Sequence, residues 1–176
     1  MTATPETFEE RFTPDEWRTL QLAPMWVIGV VASADGDAGE EEQRAGIAAL
    51  SEASRLTGRL AREVLSAAYE DRRRLFTALW EDGRRPDDGL RDAAAVLDRV
   101  DRAEAVLYKA SLMRIGIRVA AIAAGEDGAI GGPEAAALAW LETRLGITEE
   151  EAIRVAGRYG MRPEFEPDRR RTAPPD

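Results

Sequence analysis

The chain contains no cysteine and no histidine. Their absence removes disulfide frameworks, thiolate nucleophiles, Ser-His-Asp triads, ordinary zinc sites and an axial haem ligand in one stroke. Lysine occurs once, at Lys109, with no glycine before it, so a P-loop is excluded, and no GxGxxG fingerprint is present either. Long apolar runs are also missing. The two most apolar stretches, residues 23–34 and 115–124, fall well short of the roughly 20 residues that cross a bilayer, so no membrane span is expected. Residues 1–10 are acidic and lack the basic start and apolar core of a secretory signal, which makes the cytoplasm the expected location.

What remains is a chain of 176 residues, 44% hydrophobic and 32% charged but only 6% aromatic, the balance of one globular domain packed largely with small side chains. The net charge of −9 argues against a nucleic-acid partner, because phosphate binding needs an excess of Lys and Arg. An acidic surface favours cations or basic partners instead. Any site must be built from carboxylates, arginines or hydroxyls.

Every long periodic segment repeats near 3.6 residues and none alternates like a strand, so the expected fold is all-α, one bundle of about seven helices. Thr13-Pro14-Asp15-Glu16 reads as a capping box that starts a helix running through Trp17 and Leu20 toward Val31, with Pro24 expected to bend or divide it. A second helix from Glu40 carries Ile47, Leu50 and Leu56 inward, up to Thr57-Gly58. A third places Leu60, Val64, Leu65, Ala68, Leu75, Phe76 and Leu79 on one face, with residues 70–74 outside, and ends at the turn Asp82-Gly83. Residues 90–100 and 103–124 read as helix, joined or separate. Pro133 opens another through Leu138, Leu141 and Leu145 to Gly146, and Thr148 to Glu151 is a second capping box. The expected organisation is a flexible segment 1–12, a helical domain 13–160 made of units 13–82 and 87–160, and a mobile tail 161–176.

Residues 31–42 and 123–134 form an internal repeat. Asp35-Gly36 matches Asp127-Gly128 and Glu42 matches Glu134 at a constant offset of 92 (127 − 35 and 134 − 42), each between an apolar helix end and an amphipathic helix start. An Asp-Gly followed five residues later by Glu is the second half of an EF-hand loop, whose opening ligand positions would here fall on Val31 and Ser33, or Ala123 and Gly125. Neither loop is therefore an intact EF-hand. Two readings stand side by side. In one, Asp35, Glu42, Asp127 and Glu134 from two half-sites share a hard divalent cation, Ca²⁺ or Mg²⁺; in the other, each Gly allows a tight turn, each Asp caps it and each Glu favours a helix start through the macrodipole.

An apolar helix ending in Ala34-Asp35-Gly36, a Glu-led helix, and a second Asp-Gly turn before Leu145-Gly146-Ile147-Thr148 resemble the TerB-like family of tellurite-resistance proteins, whose fold is shared by the N-terminal domain of the DjlA co-chaperone. The resemblance spans residues 13 to 157. It implies two repeated helical units, acidic residues at the Asp-Gly motifs binding a divalent metal, which map to Asp35, Glu42, Asp127 and Glu134, and a role in tellurite and other stress responses. Glu126 stands where the first motif has Ala34, and Gly131-Gly132 loosens the second turn, so the two halves depart from strict symmetry.

Three functions are compatible with these residues: a non-enzymatic TerB-like stress-response protein binding a divalent cation or a protein partner, a helical protein-protein adaptor without metal, and a carboxylate and Mg²⁺ phosphohydrolase. The last would draw on the four repeat carboxylates or on Asp98, Asp101 and Glu104, spaced by three. The arginines interleaved in that cluster fit a solvated helix face. Trp17, Trp26, Trp80 and Trp140 read mainly as packing residues, and Arg169-Arg170-Arg171 as part of a solvated tail. Oligomeric state is not readable at this level.

Overall fold

The sequence's capping signals map directly onto the elements of a computed structural model, which describes residues 7–36, 39–55, 58–124 and 129–158. A 3-10 turn Glu9–Arg11 is followed by α1 (Pro14–Ala32), α2 (Glu40–Ala53), α3 (Arg59–Glu70), α4 (Arg72–Asp82), α5 (Pro86–Leu97), α6 (Arg102–Ala123), α7 (Gly132–Leu145) and α8 (Glu149–Arg158). There is no strand among the described residues. The expected tail 161–176 lies outside them.

Thr13 and Glu16 form the full capping box at α1: the Glu16 N–H donates to Thr13 Oγ1 at 3.3 Å and the Thr13 N–H to Glu16 Oε2 at 2.9 Å. The backbone bond from Thr13, helped by the Arg99 guanidinium, holds the Glu16 carboxyl below its ordinary range. At α8 only one half of the expected box is present, with the Glu151 N–H donating to Thr148 Oγ1; the Glu149 N–H is taken by Glu142 of α7. Within the segment expected to be flexible, Phe8 is anchored: it is buried, stacks on Phe12, and its N–H donates to Glu63 at 2.7 Å, while Thr7, Glu9, Glu10 and Arg11 are exposed.

Pro24 neither divides nor ends α1, which runs unbroken across it. Proline has no N–H, so the carbonyl of Leu20, four residues earlier, loses its helical donor. The hydroxyl of Tyr108, a fully buried residue of α6, supplies that hydrogen bond at 2.5 Å. Burial pushes the Tyr108 phenol well above its ordinary pKa, so it stays a donor at every working pH.

Tyr108 reaches Leu20, and eight residues on, a β-carbon on Gly116 would stand 3.4 Å from Val27 Cγ1. Contacts that advance together along both chains make α1 and α6 parallel, so their C-terminal ends lie at the same end of the bundle. Both helices are buried nearly all round, as central helices must be. α2 and α7 each fold back, on α1 and α6 respectively, through close approaches at Gly46 and Gly116.

The single helix expected from Leu60 to Leu79 is two. α3 stops at Asp71 (φ −91°, ψ 10°), the Arg72 guanidinium takes the Tyr69 carbonyl at 2.8 Å, and it stacks 4.5 Å from the Tyr69 ring. A side chain that binds a terminal carbonyl replaces the next helical N–H, so α4 sets off in a new direction.

Candidate functional site

The first Asp-Gly motif folds as a tight turn. The Gly36 N–H donates to the Ser33 carbonyl at 3.0 Å, and Gly36 adopts φ +99°, a conformation that favours glycine. The Asp35 side chain is exposed. Asp127 and Gly128 of the second motif lie outside the described residues.

After these turns, α2 and α7 begin and end at matching positions. α2 and α7 both span 14 residues, and their bounds differ by 92 at each end (132 − 40 and 145 − 53). Gly39 and Gly131 are their N-caps, which makes Glu42 and Glu134 the third residue of each helix. Both carboxylates fold back over the N-cap glycine: a β-carbon on Gly39 would meet Glu42 Oε2 at 2.1 Å, and one on Gly131 would meet Glu134 Oε2 at 2.7 Å. An acid in that position faces the positive end of the helix dipole. Glu134 is only 7% exposed, so its charge is placed with care rather than left in solvent.

Of the four carboxylates expected at a cation, Asp35, Glu42 and Glu134 are described and Asp127 is not. Among the described residues no group of three or more acids is arranged to hold a metal ion. Glu42 and Glu134 each sit on their own helix start.

The Asp98, Asp101 and Glu104 run is dispersed into separate tasks. Asp101 caps α6 by accepting the Ala103 N–H at 2.9 Å, and Glu104 accepts the Leu60 N–H at 2.9 Å, capping α3, whose own N-cap is a glycine. Asp98 is exposed at the end of α5. A second charged cluster surrounds Arg84, whose guanidinium binds Asp82 through two nitrogens, Asp92 at 3.0 Å and Thr19 at 3.1 Å, and stacks 5.1 Å from Trp26. Arg84 holds the Asp82 carboxyl below its ordinary value. The charges there are mutually satisfied.

A larger concavity lies between α2 and the α3–α4 corner. It encloses about 800 Å³, with Ile47, Ala48, Tyr69 and Phe76 as its apolar lining and Glu40, Arg44, Glu52 and Arg55 at its margins. Glu40 pairs with Arg44 at 2.7 Å and Glu52 with Arg118 at 3.1 Å. Sequence periodicity directed Ile47 and Phe76 inward. Both are instead half-buried and line an open groove.

No protein-family profile matches the chain, and no solved structure matches it. A comparison with curated proteins finds 27% identity over 128 residues, covering 68% of this chain and 82% of the other, with "Uncharacterized protein ORF11'" of Methanothermobacter thermautotrophicus.

Proposed function

We propose that this chain is a TerB-like, non-enzymatic helical module that works in a cytoplasmic stress response of the tellurite-resistance type by holding a protein partner. The observation that carries this reading is the groove between α2 and α4. Its apolar lining and charged margins suit the apolar side of an amphipathic helix, anchored by side chains at i, i+4 and i+7. The carboxylates that an enzyme would need are, in this reading, spent on helix starts.

A photo-crosslinking side chain placed at Ala48 in cells tests it. One protein species is expected to be captured from Ala48, to be lost when Ile47→Asp is added, and not to be captured from Ala135, an exposed position on α7. Capture that survives Ile47→Asp, or occurs equally from Ala135, overturns the groove as the binding site.

One observation favours a second reading, in which Asp35, Glu42, Asp127 and Glu134 take a divalent cation such as Ca²⁺ or Mg²⁺. Because α1 and α6 are parallel, their C-terminal ends, which precede Asp35 and Asp127 in the sequence, lie at the same end of the bundle. A cation that binds only the folded chain raises its stability by mass action, so this reading is decided by a melt.

A further inference from the structure

One side of α4 is uncovered by any other described residue. Leu75 and Ala78 are buried, and Phe76 and Leu79 are half-buried against the body of the protein. A helical period of 3.6 puts Arg73, Thr77, Trp80 and Glu81 on the opposite face, and all four are exposed. Trp80 stands out among the described residues: it is 87% exposed, where the other large apolar side chains, Ile122 at 42% excepted, are covered. Among the described residues Arg73, Arg74 and Glu81 take part in no ion pair. The helix is also polarised, with Arg72-Arg73-Arg74 at its start and Glu81-Asp82 at its end.

This face is complementary to itself when inverted. A twofold axis perpendicular to α4 through Thr77 relates position 73 to 81 and position 74 to 80. Two antiparallel copies then set Arg73 against Glu81 twice, and lay each Trp80 ring beside the Arg74 guanidinium of the other copy, a cation–π arrangement. A parallel pairing would oppose arginine with arginine and is repelled. Isologous contacts of this kind close at two subunits.

We propose that the outer face of α4 is the contact of a homodimer, two copies packed antiparallel about Thr77. The proposal is independent of the groove, which uses Phe76 and the other side of the helix. At about 1.5 Å per residue α4 is only about 16 Å long, so the interface is small and the dimer weak.

Sedimentation equilibrium on the full chain, from about 5 to 500 µM, reads it directly. The wild type is expected to shift from monomer to dimer across that range, less so at high salt because exposed ion pairs are screened. Trp80→Ala, Arg73→Glu and Glu81→Arg are each expected to weaken association about tenfold or more. The double variant Arg73→Glu, Glu81→Arg rebuilds both pairs with reversed polarity and is expected to restore it. A wild type that stays monomeric at the highest concentration overturns the proposal. So does a dimer that survives Trp80→Ala, or a double variant no better than its single parents. All these positions are exposed, and circular dichroism of each variant confirms an unchanged fold.

Discussion

The α1–α2 pair and the α6–α7 pair solve the same packing problem with the large and small residues exchanged. In the first half the glycine is on the outer helix: a β-carbon on Gly46 of α2 would lie 2.6 Å from Ile28 Cγ2. In the second the glycine is on the central helix: one on Gly116 of α6 would lie 3.0 Å from Leu141 Cδ1 and 3.4 Å from Leu138 Cδ2. At the offset of 92, Ile28 corresponds to Ala120 and Gly46 to Leu138. Three buried positions nonetheless coincide, Gly46, Ala49 and Ala53 on α2 with Leu138, Leu141 and Leu145 on α7, whereas the buried Leu50 corresponds to Glu142 and the buried Glu134 to Glu42. What the two halves hold in common is the spacing of these three buried positions rather than residue identity, with each close approach made possible by a glycine.

Moving the second solution into the first half gives the largest expected effect. Ile28→Ala alone leaves a cavity and is expected to cost about 2–5 kcal/mol, and Gly46→Leu alone overpacks the site for about 1–3 kcal/mol or more. The double variant reproduces the Ala120 and Leu138 pair and is expected to recover more than half of the summed loss in urea unfolding. Additive losses would break the comparison.

A smaller effect sharpens it along the central helices. Pro24 of α1 stands where α6 has Gly116 (116 − 24 = 92), and only the proline orphans a carbonyl. Tyr108→Phe leaves the buried Leu20 carbonyl without a donor and is expected to cost about 1–3 kcal/mol. In a Pro24→Ala background the helix regains its own N–H, and the same substitution is expected to cost about 1 kcal/mol less. Equal costs in both backgrounds would mean that the hydroxyl does not serve the proline.

Much of this architecture is legible in local chemistry. The Thr13 capping box, Pro133 at a helix start, the glycine ends at Gly83 and Gly146 in left-handed conformation, and the offset of 92 are all written in short stretches of sequence. What escapes such reading depends on partners far along the chain. Pro24 is tolerated because Tyr108 sits 84 positions later (108 − 24), and Glu104 caps a helix that starts 45 residues before it (104 − 59). The end of α3 at Asp71 is marked by the Arg72 guanidinium binding the Tyr69 carbonyl, a choice over solvent that the sequence does not announce. The spacing of Glu42 and Glu134 is legible in sequence, whereas the way each folds back over its N-cap glycine emerges only in three dimensions.

Glu42 and Glu134 serve either their own helix starts or a bound cation. Thermal unfolding of the wild type, Glu42→Gln and Glu134→Gln, each with and without millimolar Ca²⁺, Mg²⁺ and Mn²⁺, distinguishes the two in one data set. If both glutamates serve their helix starts, each amide variant loses about 0.3–1 kcal/mol, a fall of about 1–4 °C, and no cation moves the wild-type midpoint. A cation at about 100 times its Kd would instead add about 2.7 kcal/mol and raise the midpoint by about 5–10 °C. A rise of that size in the wild type, abolished in both variants, would contradict the helix-start account and assign these residues to a metal.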